Sequence, residues 1–374
     1  MGLELYYPGL AGICVGETNI ATNDGRILYR GYKLSDLVID ASFPEVVYLL
    51  LKGDLPNLEE LADFHAILTD ESLIDPELLS KLADLPMHVS LLDVMRTGIG
   101  IIGHHDPQLH ETTTHAMTSQ TVRLLAQLPL LIAARIRGNV PVDYQTDFDS
   151  FSYAGALYRI LTGNDPSLLS ERALEILLMI TAASNFDASA LAARMAVSNG
   201  GDLFAGILSA MSCFQGHHAG GMVERIGQTY GSFSKIDDMH ARVERLLLAG
   251  KTQLPGFGVT DYVDFDPRER LLRSICEKVA IEADTVEIEE AAEEMERKIY
   301  SVRRQRPCLD WTYFRLMHYL RLPLDLAAPL AAIGRLTGWA AHMIEQNEEG
   351  IVYAPKVRYR GATDLAYESI MERE

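Results

Sequence analysis

The sequence predicts a mainly α-helical protein with a small β element at its N-terminus. Three observations carry that expectation. Helix start and stop signals recur along almost the whole chain. β-prone alternation is confined to about the first thirty residues. No βαβ alternation and no repeat of about 20–50 residues is present. In the opening stretch "GICVGETNIATNDGRILYRGY", Asn23-Asp24-Gly25 separates two β-prone runs, which is a hairpin signature. In "DASFPEVVYLLLKG", Ser42 precedes an acidic first turn and an apolar stripe, and Gly53 supplies a stop. Comparable patterns predict helices over 57–70, 74–84, 88–102 and 113–138. Residues 171–195 and 199–213 read as two long Ala-rich helices, apolar enough to be buried on most faces. The texture then changes to charged, amphipathic helices near 221–230, 235–249, 267–283 and 286–304, with a further helix over 311–320. Apolar character returns through "LAAPLAAIGRLTGWAAHMIEQ". This order predicts a large domain built from 1–215 and 315–374, interrupted by a smaller one at 216–314, with a ligand cleft between them.

The totals narrow the function. A chain of 374 residues exceeds what one core usually serves. Hydrophobic residues at 48% and charged residues at 23% are ordinary for a globular protein. A formal charge of −19 argues against nucleic acid as a partner, because phosphates need clustered Lys and Arg. It argues equally against anionic membranes. The four cysteines lie far apart without metal-ligand spacing, so buried reduced thiols and a cytoplasmic location are expected. "MGLELYYPGLAG" lacks the pattern of a signal peptide, and no apolar run reaches membrane-spanning length. His104, His105, His110 and His115 in "GHHDPQLHETTTH" read as solvated loop residues, and no metal site is expected.

Four places draw attention as chemistry. "FQGHHAGG" sets His217 and His218 beside a glycine pair between apolar helices. Arg335 stands inside a long apolar run and must find a carboxylate or carbonyl partner, either internal or from a ligand, because an unpaired buried charge is very costly. Asp310 reads as a catalytic carboxylate or as the N-cap of the helix that follows it. Arg303, Arg304 and Arg306 in "SVRRQRP" read as a phosphate-binding cluster or as a basic helix end complementing the macrodipole.

Several stretches occurring in one order tie these places together: "GLAGICVGET", "LYRGYKLSDLV", "SFPEVVYLLLKGDLP", "LPGFG", "DPR" and "AIGRLTGWAAHMIEQ". As an ordered set, covering residues from about 9 to 360, they resemble the citrate synthase family. The resemblance implies an all-α homodimer with a large and a small domain. It implies condensation of acetyl-CoA, or a related acyl-CoA thioester, with oxaloacetate or another 2-oxo acid. No tightly bound cofactor is implied, and small-domain closure would exclude water. The implied base is Asp310. Arg268 in "DPRER" and Arg335 match arginines that hold the carboxylates of the oxo acid, where a planar fork suits bidentate pairing.

The implied histidines are replaced. Where the family reads His-Ala-Asp-His, this chain reads "TAASN", so Ser184 stands at the place of the carbonyl-polarising histidine, with Asn185 beside it. Aligning the glycine pair of Gly-Pro-Leu-His-Gly-Gly on Gly220 and Gly221 puts Ala219 at the catalytic place and His218 one residue early. After "GFG", Val259 and Thr260 replace a histidine and an arginine, with Tyr262 as another candidate donor. Ala354 stands where an arginine lent by a partner subunit is implied, and Lys356 or Arg358 would replace it only with a shifted backbone. The expectation is a condensing enzyme with a remodelled site, poor at ordinary citrate synthesis. The alternative is a non-catalytic relative that binds a metabolite or pairs with an active paralogue.

Overall fold

The computed structural model describes residues 7–373 apart from 11, 23–25, 139–150, 217–218, 251–253 and 259–264. Among these are sixteen α-helices and one three-stranded antiparallel sheet. The strands β1 (Ala21–Thr22), β2 (Leu28–Tyr29) and β3 (Tyr32–Lys33) pair in sequence order, with Ala21 opposite Tyr29 and Thr22 opposite Leu28. The hairpin forms where the sequence puts it, although its Asn23-Asp24-Gly25 turn lies outside the described residues.

Local signals set the next helices. These are α1 (Leu34–Asp40), α2 (Phe43–Lys52), α3 (Leu58–Glu71), α4 (Pro76–Ala83) and α5 (Leu91–His105). The start of α2 is a capping box: the Ser42 hydroxyl accepts from Glu45 N–H, and the Glu45 carboxylate accepts from Ser42 N–H at 2.7 Å. Gly53 ends it at φ 98, a left-handed conformation that a side chain would strain. The long helix α6 (Thr114–Arg137) is buried along most of its length. Pro129 lies inside it and has no N–H for the Leu125 carbonyl. The hydroxyl of Tyr153, from α7 (Tyr153–Thr162), donates to that carbonyl at 2.8 Å, so a proline is tolerated in the core.

The run expected to be one helix over 171–195 is two. The first, α8, covers Leu168–Thr181, and the second, α9, covers Ala188–Ser198. Two interactions break the run. The Ala182 carbonyl accepts the N–H of Gly338 at 2.8 Å, and Asp187 restarts the helix by accepting Ala190 N–H at 2.8 Å. The following helix, α10 (Leu203–Phe214), is buried over most of its surface as expected, with Ala205, Ser212 and Cys213 forming a narrow exposed face. The four-thiol expectation is corrected. Cys276 and Cys308 are buried, whereas Cys213 is on the outward face of α10 and Cys14 is in an irregular exposed stretch.

Charged, amphipathic sequence gives α11 (Met222–Tyr230), α12 (Ile236–Leu248), α13 (Pro267–Glu282) and α14 (Val286–Arg303). Next come α15 (Leu309–Tyr319) and α16 (Ala327–Glu349). Helix α13 packs against both α15 and α8, α12 against α14, and α11 against α15. Helix α16 is apolar around most of its circumference because it packs against α2, α6, α8, α9 and α10. The N-cap reading of Asp310 is corrected: α15 begins at Leu309, Cys308 is the cap residue, and Asp310 sits in the first turn. No described helix is long and apolar enough to cross a membrane.

Candidate active site

Arg335 stands between Gly334 and Gly338 on α16, and these glycines let that helix touch the end of α8. A Cβ at Gly338 would lie 2.8 Å from the Ala183 Cα, and one at Gly334 would lie 2.9 Å from the Leu178 carbonyl oxygen. The close approach brings the Arg335 guanidinium to the segment between α8 and α9. Its Nη1 donates to Ser184 Oγ at 2.5 Å and pairs with the Asp187 carboxylate. Ser184 Oγ in turn donates to Asp187 Oδ2 at 2.7 Å. Burial pushes the Asp187 carboxyl upward, but Arg335, Ala190 N–H and Ser184 together outweigh it and hold its pKa below the ordinary carboxylate range.

The segment is fixed from two further sides. Tyr29 on β2 donates its hydroxyl towards Met179 O at 3.0 Å and Ala183 O at 3.2 Å. On α16, His342 Nε2 lies 2.8 Å from the Ser184 carbonyl oxygen. Burial lowers the His342 pKa to about 4, so the ring is neutral at pH 7 and the Nε2–H tautomer donates to that oxygen. Behind it, Arg194 is fully buried and pairs with Glu345 at 2.6 Å and Glu349 at 2.8 Å. Glu345 also accepts Thr18 Oγ1 and Asn19 N–H, each at 2.7 Å, which ties the N-terminal stretch to this layer.

Arg268 and Asp310 approach from α13 and α15. Asp266 caps α13 and also grips the Arg268 side chain, with Nε–Oδ1 at 3.0 Å and Nη2–Oδ2 at 2.7 Å. Asp310 lies near enough to feel Arg268. Its pKa is raised: burial dominates, against opposing contributions from Arg268 and from the Cys308 thiol at 3.6 Å. Both Arg268 and Arg335 also act electrostatically on the buried Tyr29 hydroxyl, whose pKa burial raises. Tyr29 therefore marks the ground that the two arginines share. Thr312 Oγ1 donates to Glu269 at 2.8 Å, joining the first turns of α15 and α13 one residue away from Arg268 and two from Asp310.

The "LPGFG" turn is built beside Asp310. Gly258 N–H donates to Arg306 O, and Cys308 N–H to Gly256 O, each at 3.0 Å. Gly256 and Gly258 take φ of 80 and 96, as this tight turn requires. Val259, Thr260 and Tyr262 lie outside the described residues, as do His217 and His218. Ala219 is described, and its methyl packs against the apolar core.

The arginine trio is split. Arg303 is anchored by donating to Leu247 O at 3.1 Å, while the exposed Arg304 and Arg306 both lie over the Tyr300 ring, at 5.5 Å and 5.7 Å. The structure thus brings Arg335 and Ser184 into one cluster and Arg268 within electrostatic reach of Asp310. Sequence reasoning missed Asp187, Asp266, Tyr29 and His342. Asp187 carried a readable signal, an Asp three residues before Ala190 in the pattern of an N-cap.

The sequence matches the family described as "Citrate synthase, C-terminal domain" over residues 9–356. It is 28% identical over 362 residues to the citrate synthase of Mycolicibacterium smegmatis, with 95% of each chain covered. It is 29% identical over 370 residues to the 2-methylcitrate synthase of Shewanella oneidensis, again with 95% of each covered. The fold superposes on the crystal structure of citrate synthase from Thermotoga maritima with a TM-score of 0.83 and 25% identity, covering 99% of this chain and 100% of that one. The family match spans the α8–α9 segment that carries Ser184 and the helices that carry Arg268, Asp310 and Arg335, in one unbroken order, and the chain belongs to the citrate synthase family.

Proposed function

We propose that the protein condenses an acyl-CoA thioester with a 2-oxo acid in a remodelled site that is poor at ordinary citrate synthesis. The observation that carries this reading is Asp310. Asp310 is half-buried, with a raised pKa and an arginine in electrostatic range, which suits a base for a carbon acid. In the proposed reaction Asp310 takes a proton from the α-carbon of the thioester. That carbon then forms a C–C bond to the acceptor carbonyl carbon, whose oxygen takes a proton. Water afterwards cleaves the thioester C–S bond and releases CoA. Arg268 and Arg335 bind the acceptor, with Ser184 and Asn185 as hydrogen-bonding groups. His218 is the candidate donor to the enol oxygen. Arg303, Arg304 and Arg306 are proposed to receive CoA phosphates, because arginine forks suit them. No tightly bound cofactor is part of the proposal. Residues 216–314 are taken as a smaller domain that closes on 1–215 and 315–374, and the working unit is taken as a homodimer.

Poor citrate synthesis follows from Ala219, Ser184 and Val259 standing at the places implied for histidines. Losing one donor aimed at developing oxyanion charge costs on the order of 10²–10³ in rate. The test has two arms. Acetyl-CoA with oxaloacetate should release CoA only slowly, and brisk turnover would contradict the remodelling. In deuterated water the protein should exchange the methyl protons of acetyl-CoA, and Asp310→Asn should slow exchange by roughly 10²–10⁴. A second reading, non-catalytic binding of a metabolite or pairing with an active paralogue, is favoured by one observation. Arg268 and Arg335 each hold a carboxylate of the chain itself. Absence of both exchange and CoA-thioester binding would select it.

A further inference from the structure

The pairing of Arg335 with Asp187 sets the charge of the site. Both side chains keep an opening, at 17% and 22% exposure, so a ligand can reach the pair. Asp187 is held by three donors, Arg335 Nη1, Ser184 Oγ and Ala190 N–H. The Ala190 bond to Oδ1 anchors the carboxylate at the start of α9 while Oδ2 faces Arg335, so Asp187 stays beside the arginine when a ligand enters. Arg335 commits only Nη1 to this cluster, and among the described residues its Nε and Nη2 have no carboxylate partner. Arg268 is matched by Asp266 in the same way, and Asp310 adds a carboxyl within range of Arg268. Tyr29, His342 and Arg194, the other described groups packed around the cluster, add no unpaired positive charge to it. Tyr29 and His342 are neutral, and the Arg194 guanidinium is taken up by Glu345 and Glu349.

Resting on the condensing reading above, we infer that Asp187 is a specificity-determining residue that restricts the acceptor to a carbonyl compound with no more than one carboxylate. One carboxylate finds the uncommitted edge of Arg335. A second would bring a further negative charge to arginines that are already neutralised, where like charges repel.

Isothermal titration of the CoA-saturated protein with pyruvate and with oxaloacetate tests this, together with CoA release from acetyl-CoA in the presence of each acid. The wild-type protein is expected to bind pyruvate about tenfold or more tightly than oxaloacetate. Asp187→Asn keeps a good N-cap and should shift that ratio toward oxaloacetate by roughly tenfold, with a lower melting temperature because Arg335 loses its charged partner. A wild-type preference for oxaloacetate, or an unchanged ratio in the variant, overturns the inference. Oxaloacetate preference accompanied by CoA release overturns the acceptor class and leaves the condensing reading standing. Preferential pyruvate binding without CoA release from any thioester supports the charge assignment and removes the condensing reading. Binding of neither acid overturns both. The wild-type ratio decides the matter even if the variant does not fold.

Discussion

At the scale of single residues, the proposed role of Asp310 and the stability of the fold pull in opposite directions. Burial raises its pKa above the value of 3.8 expected for a free carboxyl. The folded chain therefore keeps a proton that the unfolded chain has already released. Stability falls as pH rises from the ordinary carboxylate range through the raised value, and the penalty is then constant. Asp310→Asn removes the ionisable group at nearly the same size. Denaturant unfolding at pH 7 should show the variant to be the more stable protein. The gain should shrink as pH is lowered through the raised pKa. A residue kept only for structure, paired with Arg268, gives the opposite result, a variant less stable at pH 7. A more stable Asp310→Asn that has also lost proton exchange would identify a group maintained for its chemistry at a cost in stability.

At the scale of elements, what matters is how α16 reaches the break between α8 and α9. Helix boundaries governed by local signals were legible in the sequence: Ser42 and Gly53 frame α2, and Asp266-Pro267 opens α13. The α8–α9 break was only partly legible: Asp187 carried an N-cap signal, but the Ala-rich apolar sequence on both sides reads as one helix. Its causes are non-local, since Gly338 from a distant helix takes the Ala182 carbonyl and Tyr29 from the sheet takes that of Ala183. For the same reason the need of Arg335 for a partner could be foreseen, while Asp187 as that partner could not. Gly338→Ala tests the contact. The added methyl meets backbone atoms at Ala182 and Ala183 that cannot rotate away. It should cost about 1–3 kcal/mol, read by denaturant unfolding. Gly100→Ala in α5 is the control, because nothing lies within 4 Å of the added Cβ. Helix propensity should make that variant more stable by roughly 0.5–1 kcal/mol. Equal effects at the two sites would mean that the helix contact is not tight.

At the scale of the whole molecule, the segment after α16 is held to its own chain near its start, where Gln346 Nε2 donates to Ile351 O at 2.7 Å, and is largely exposed beyond that. It leaves the helix at Gly350 and runs through residues 351–373 without helix or strand. Ile351, Val352, Tyr359 and Tyr367 are exposed along it, and Val357 and Met371 are 92% and 91% exposed. So many large apolar groups left in water along one segment mark a surface that another molecule covers. The first half of the segment carries Lys356, Arg358 and Arg360, positive charges in a chain that carries −19 overall, so a second copy offers an acidic surface to receive that half. A homodimer in which the segment lies on the second copy accounts for both features. Light scattering of the full chain should give twice the mass of one chain. A chain ending at Gly350 should dissociate at concentrations where the full chain is dimeric. Its helical circular dichroism should be unchanged in shape, because the removed residues contribute no helix. Loss of the helical signal together with association would mean that the segment supports the fold of its own chain. A truncated chain that still associates as tightly would place the interface elsewhere, with the exposed face of α10 as the next surface to alter.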